Sequence, residues 1–315
     1  MKTDSQKDAS HNRRDFLKIA GASALATGLA AAPQTAAAEP KIKGFSCIPL
    51  QFWKEIKTEK TVSFEDWVRT ALEFGLNGTE VFEPFVEHLD ASGKARLAEF
   101  MRDAGLEASM YTIESKFSNP DEREADVAKA RHAVDTALIF GANIVRLTAA
   151  SHVLVKPYEG AAKEAAMKSV GIGIRECLDY AEEKQVMFAL EDHPVLGTNV
   201  AEFMKIVELV DDDRLKINLD VGNIPGETVV ELAELVKGRV VHTHMHTHVR
   251  KPKDAGGARV VDSDDVDTRA LFSFFKKSGF DGWISIEWVN GMKGWGARDD
   301  LRLSIEYIKK EWDAA

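Results

Sequence analysis

Cysteine is scarce: Cys47 and Cys177 are the only two in 315 residues. Two are too few for a disulfide scaffold or a cysteine-rich zinc site, and each is expected as a separate buried core residue. A long apolar run is also missing, so no ordinary spanning helix of about 18 or more residues is expected. There is no basic excess. The 41 Lys and Arg are outnumbered by 51 Asp and Glu, for a net charge of −10. An acidic surface repels phosphate backbones, which excludes nucleic acid as a main partner. The Gly-x-Gly-x-x-Gly turn of a dinucleotide-binding sheet is absent after the first strand pattern, where Ile48-Pro49-Leu50-Gln51 stands instead. Disorder is excluded as well, because hydrophobic residues make up 44% of the chain and occur throughout.

The N-terminus carries a processing signal. Asn12-Arg13-Arg14-Asp15-Phe16-Leu17-Lys18 precedes a soft apolar run, Ile19 to Ala32, and then Pro33 and Ala36-Ala37-Ala38. A charged region, a short apolar region and small residues stand in the order of a signal peptide. The paired arginines look like the twin-arginine export signal, which a receptor reads. Residues 1–38 are therefore expected to be a cleavable signal, and 39–315 a single domain delivered to the periplasm. Export of folded chains by that route suits a protein that takes up a metal before it leaves the cytoplasm. A short uncleaved anchor is the competing reading, disfavoured because the run falls below the ~20 residues of a span.

Beyond Lys41, short β-rich runs alternate with helical patterns. The strands are expected at Gly44–Ile48, Gly78–Phe82, Glu107–Tyr111, Ile144–Thr148, Val186–Glu191, Lys216–Asp220, Val240–His246 and Trp283–Trp288. Between them apolar residues recur at helical spacing, as in Phe64, Trp67, Val68 and Ala71. Ser63, Asn119 and Asn199 read as helix N-caps, and Gly75, Gly105, Gly141 and Gly279 as helix stops. Eight strand–helix units over 39–315 match an α/β fold of the closed (β/α)8, or TIM, barrel type, which typically takes ~250 residues. Thr247 to Asp267 reads as a long polar loop holding Arg250, Lys251, Lys253 and Arg259, a lid or a solvated connection.

In this fold, function sits where strands end. Strand five ends Leu190-Glu191-Asp192-His193 and strand six Leu219-Asp220-Val221-Gly222-Asn223. Strand seven ends His242-Thr243-His244-Met245-His246, and strand eight Ile286-Glu287. A lone glutamate at a strand end is more commonly an ion-pair partner, and a histidine run can be a solvated loop. On consecutive strands together, however, carboxylates and imidazoles closing apolar strands are costly unless a cation pairs them. One divalent metal explains them jointly. Oxygen-rich coordination with one imidazole suits Mn²⁺ first, then Mg²⁺, Co²⁺ or Zn²⁺.

These motifs resemble the xylose isomerase-like barrel superfamily, and within it the sugar phosphate isomerase/epimerase proteins, over roughly Lys41 to Trp312. The resemblance implies metal ligands at Glu191, Asp220, His244 and Glu287. It implies that Glu191 and Glu287 also take and return a proton beside a substrate carbonyl, through an enediolate. His193 joins them as a residue that polarises substrate or orients Glu191, with a packed histidine as its plainer reading. Arg250, His246, Asn223, Trp53 and Arg146 are the candidate substrate contacts. For Arg146 and Glu80 an internal salt bridge is the equal alternative, and for Trp53 and Trp295 it is simple packing. The sequence departs from the family's ketose 3-epimerases. Asn223 replaces a histidine, Gly197 a glutamate, and His246-Thr247 a Lys-Asp pair. The implied activity is isomerisation or epimerisation of a small carbohydrate. The alternatives are a lyase or dehydratase at the same site, an abasic-site endonuclease (disfavoured by charge and export signal) and a non-catalytic sugar binder. The implied partners are the substrate and the export machinery, with a homo-oligomer left open.

Overall fold

The computed structural model describes residues 41–151, 158–193, 195–197, 199–224, 228–250, 259–262 and 266–315. The expected signal segment, Pro194 and Lys251 to Ala258 lie outside the described residues. The elements run β1 (Gly44–Cys47), α1 (Phe64–Glu73), β2 (Gly78–Phe82), α2 (Glu83–Val86), α3 (Ala91–Ala104), β3 (Glu107–Thr112), α4 (Arg123–Phe140), β4 (Ile144–Leu147) and α5 (Gly160–Glu183). Then come β5 (Met187–Glu191), α6 (Val200–Val210), β6 (Lys216–Asp220), α7 (Thr228–Leu235), β7 (Val240–Arg250), β8 (Arg259–Asp262), α8 (Thr268–Ser278), β9 (Trp283–Asn290) and α9 (Arg298–Ala314).

Eight of the strands are parallel, in the order β1-β9-β7-β6-β5-β4-β3-β2. The ends of that order, β1 and β2, come together through single bonds. Asn77 N–H donates to the Phe45 carbonyl at 2.9 Å, and the Thr79 hydroxyl donates to the Cys47 carbonyl at 2.9 Å. The result is a nearly closed (β/α)8 barrel. Helices cover strands on the outside, so strands such as β2 are buried along their whole length.

Local chemistry explains where the helices start and stop. Ser63 caps α1 in a reciprocal capping box with Asp66, and Asn199 caps α6 by accepting from Glu202 N–H. Gly105, Gly141 and Gly279 end α3, α4 and α8 in the left-handed conformation. Asn119 is not an N-cap. Its side chain accepts from Asp121 N–H in a local turn, and α4 begins later, at Arg123. An asparagine can satisfy the backbone two residues on without starting a helix, which is why the sequence signal misplaced the cap.

The stretch expected as one polar loop is partly a hairpin. Strand β7 runs on to Arg250, and β8 returns antiparallel beside it, pairing Thr247 with Asp262 and Arg250 with Arg259. In this register His248 lies opposite Val261 and Val249 opposite Val260, and the two strands satisfy each other's backbone. The eighth barrel strand is therefore β9. Cys47 and Cys177 are buried and unpaired. Among the described residues no helix is long and apolar enough to cross a membrane.

Side chains alternate along a strand, so one parity of each strand fills the bore. Its lower layer is apolar: Met110, Ile144, Ala189 and Trp283 form a separate small cluster. Gly78 is required there, because a Cβ would come within 2.8 Å of the Trp283 ring. Above this floor the inward residues turn polar and remain fully buried: Ser46, Glu80, Thr112, Asn218, His242 and Ser285. The floor closes one end of the bore, and the site is built on the polar layer.

Candidate metal centre

Strand register brings the donors together. Asp220 lies beside His244 across β6 and β7, Glu191 beside Asn218 across β5 and β6, and His244 beside Ser285 across β7 and β9. Glu287 is two residues further along β9. Glu191, Asp220, His244 and Glu287 each present one ligand atom, and these four atoms lie within 4.8 Å of one another. From His244 Nδ1 the distances are 2.6 Å to Glu191, 3.5 Å to Glu287 and 3.7 Å to Asp220. Glu191 Oε2 and Asp220 Oδ2 are buried and accept no hydrogen bond from the described residues. Hard oxygen donors, one imidazole and two carboxylate oxygens without a hydrogen-bond donor suit a divalent cation.

Without that cation, protons and neighbouring cations carry the compensation. Burial would depress the His244 imidazole, but Glu80, Glu287 and Glu191 outweigh it and hold the ring well above its ordinary value. Burial and the Asp220 carboxylate push Glu287 up to about 7. Burial would also raise Glu191, yet Arg146 and His244 overcome it and keep the carboxyl below its usual range. Asp220 is held well below its usual value, since His246 and His244 outweigh its burial.

A buried shell surrounds the four donors. Arg146 Nη1 stands 3.4 Å from Glu191 Oε2. Of the two arrangements open for Arg146 and Glu80, Arg146 thus pairs with Glu191, while Glu80 accepts from His244 Nε2 at 3.1 Å. Asn218 donates to Glu191 Oε1 at 3.1 Å, and its carbonyl oxygen faces His242 Nδ1 at 2.8 Å. Burial lowers the His242 imidazole to about 3, so that ring is neutral and donates from Nδ1. Asp192 accepts the Asp220 backbone N–H at 2.7 Å. Burial and the adjacent Asp220 push its carboxyl well above the usual range.

The other candidates are placed less closely. His246 Nε2 lies 2.9 Å from Glu287 and 3.1 Å from Asp220, so it joins the rim of the cluster. It packs on Gly222, where a Cβ would come within 2.1 Å of the imidazole. Burial lowers His246, but Asp220 and Glu287 raise it to about 10. His193 comes after Glu191 in a tight turn, its N–H donating to the Glu191 carbonyl at 3.0 Å, and its side chain is half-buried. Asn223 stands half-buried in the turn after β6. Arg250 is exposed at the far end of β7. Trp53, 40% exposed, rests on Phe82 and Phe85, with ring centroids 5.9 and 5.5 Å apart. Trp295 packs edge-on against Phe52. Sequence reasoning gave Asn218, His242 and Asp192 no role, although strand parity already put His242 on the face of His244. Asn218 sits two residues before Asp220, so the same parity would have placed it in the bore.

The sequence pattern described as xylose isomerase-like TIM barrel matches residues 68–311. The chain belongs to this family. A twin-arginine translocation pathway signal sequence matches residues 10–30. Solved structures of low sequence identity share the barrel fold. The probable 3-DHS dehydratase AsbF of Bacillus anthracis is 20% identical with a TM-score of 0.65, over 84% of this chain and 98% of that one. D-Psicose 3-epimerase of Clostridium cellulolyticum H10, solved with D-tagatose, is 14% identical with a TM-score of 0.65, over 86% and 96%. A xylose isomerase-like TIM barrel protein of Mycobacterium smegmatis, solved with magnesium, is 18% identical with a TM-score of 0.61, over 80% and 88%. No curated protein matches the chain.

Proposed function

We propose that this family member is an exported, divalent-metal-dependent isomerase or epimerase of a keto sugar or related polyol, acting by proton transfer beside a carbonyl. One observation carries the reading: four donors from four consecutive barrel strands converge within 4.8 Å, and two of their buried carboxylate oxygens accept no hydrogen bond from the described residues. Glu191, Asp220, His244 Nδ1 and Glu287 hold the cation, with Mn²⁺ as the first choice. When bound, it supplies Lewis acidity that polarises the substrate carbonyl and lowers the cost of the negative charge left when the neighbouring C–H proton departs.

The chain's own residues do the remaining work. Glu191 and Glu287 approach from different strands, β5 and β9. One would accept the proton from substrate carbon and the other would return it. Arg146 holds Glu191 ionised and in place from below. His246 donates from Nε2 to Glu287 and Asp220, orienting both and presenting an edge to substrate oxygens. His193 lies beside Glu191 at the rim, where it meets a substrate hydroxyl. Asn223 and Arg250 supply polar contacts from the strand ends, and Trp53 offers an indole face to a sugar ring. Residues 1–38 act as the twin-arginine signal, removed after Ala38, and the barrel then works in the periplasm.

A lyase or dehydratase at the same site is the second reading, supported by the likeness to the probable dehydratase AsbF. The two diverge only after proton removal, where the lyase expels a neighbouring group instead of taking the proton back. Incubating the Mn²⁺-loaded protein with ketoses and 3-keto-glycosides in D₂O, with NMR of the products, separates the two. Deuterium incorporation with the carbon skeleton intact supports isomerisation, and loss of water or an aglycone supports elimination. Turnover that survives in both Glu191→Gln and Glu287→Gln contradicts either reading.

A further inference from the structure

Beneath the four-donor cage lies a carboxylate that the proposed chemistry does not use. Glu80, in the middle of β2, is fully buried and reaches across the bore to β7, which is not its neighbour in the sheet. The Ser285 hydroxyl donates to Oε1 at 2.6 Å and the Thr112 hydroxyl to Oε2 at 2.8 Å. His244 Nε2 lies 3.1 and 3.2 Å from the same two oxygens. An ionised carboxylate only accepts, so Nε2 must carry the hydrogen it shares with Glu80. In a neutral imidazole the lone pair then falls on Nδ1, the atom that faces Glu191, Asp220 and Glu287.

We propose that Glu80 is a positioning residue that locks His244 in the Nε2–H tautomer and ring orientation that offers Nδ1 to the cation. This rests on the metal-dependent reading above and deepens it. A ligating imidazole whose far nitrogen is held by a carboxylate gains basicity and loses rotational freedom, so metal affinity depends on the partner. The bond also ties β2, at the open seam of the barrel, to β7 and β9. Glu80, His242 and His244 can be drawn as a second cation cage, since His242 Nε2 makes no hydrogen bond among the described residues and stands 3.8 Å from Glu80. That use would strip the Nε2 proton from His244 and displace two hydroxyl donors from Glu80, so the geometry favours the brace.

The test compares full-length wild type, Glu80→Gln and Glu80→Ala. Mn²⁺ affinity is read by chelator competition, stoichiometry by elemental analysis, and the His244 tautomer by two-bond ¹H–¹⁵N spectra of the Mg²⁺-loaded protein. Wild type should bind one ion and show Nε2–H. Glu80→Ala should bind Mn²⁺ about 10- to 100-fold more weakly and lose the single tautomer. Glu80→Gln, whose amide oxygen still accepts from Nε2–H, should fall between them and supplies the comparison if the alanine variant does not fold. If wild type takes up Mn²⁺ while the folded variants bind it equally tightly with an unchanged tautomer, the positioning role is wrong and the metal reading survives. Two ions per chain likewise overturn the brace. A wild type that takes up no ion overturns the metal reading itself.

Discussion

Arg146 gives the sharpest energetic prediction. It is 4% exposed in the bore, with Glu191 3.4 Å away and Glu287, Glu80 and Glu114 also acting on its charge. Replacing it with methionine keeps much of the volume and removes the only permanent cation beside Glu191 among the described residues. Breaking a buried ion pair by deleting one partner costs about 3–5 kcal/mol, because the other charge stays buried. A barrel of this size loses about 2–4 °C of Tm per kcal/mol, so metal-free Arg146→Met should melt about 6–20 °C below metal-free wild type. A divalent cation placed against Glu191 restores part of the missing charge. Saturating Mn²⁺ should therefore raise the Tm of the variant more than that of wild type. Differential scanning calorimetry with and without EDTA measures all four states, with exposed Arg102→Met as the control. If Arg146→Met and Arg102→Met lose the same Tm, or Mn²⁺ stabilises variant and wild type equally, the electrostatic account of the bore is wrong.

Other expectations arise from the same site. Metal binding should stabilise wild type by about 2.7 kcal/mol at a free Mn²⁺ concentration of 100 Kd, seen as a Tm gain of about 5–10 °C that EDTA abolishes; an unchanged Tm argues against a native metal site. Cation binding should release protons, because the metal-free site holds them on His244, raised well above its usual value, and on Glu287, near 7. Lowering the pH refills both sites, so Mn²⁺ affinity should rise from pH 6 to pH 8, and calorimetry in buffers of different ionisation enthalpy should show fewer protons released at pH 8 as Glu287 gives up its own. Affinity independent of pH contradicts this. Burial raises the thiols of Cys47 and Cys177, the latter to about 12, so neither should react with a thiol reagent in native protein at pH 8, and both should react in denaturant. Rapid native labelling would show that the core opens there.

The barrel was legible because eight apolar strands alternate with helical patterns and most helix ends carry local signals such as Ser63 and Gly141. The four donors were legible for a related reason: a charged residue closing an apolar strand stands out, and four on consecutive strands converge once the sheet curls. The supporting shell was harder to read. Glu80 lies 164 residues from His244, and only closure of the barrel makes them neighbours. Asn218 looks like an ordinary polar interruption of a strand until register puts it in the bore. The β7–β8 hairpin was hidden for a different reason. Its return strand, β8, is only four residues long, and the lysines between the two strands read as loop.

The most direct test is anomalous diffraction from a crystal soaked in Mn²⁺ and measured at the manganese edge. The account predicts one strong peak per chain, within about 2.0–2.5 Å of a Glu191 oxygen, an Asp220 oxygen, His244 Nδ1 and a Glu287 oxygen. A peak bound elsewhere, or none in that cage at saturating Mn²⁺, would contradict it.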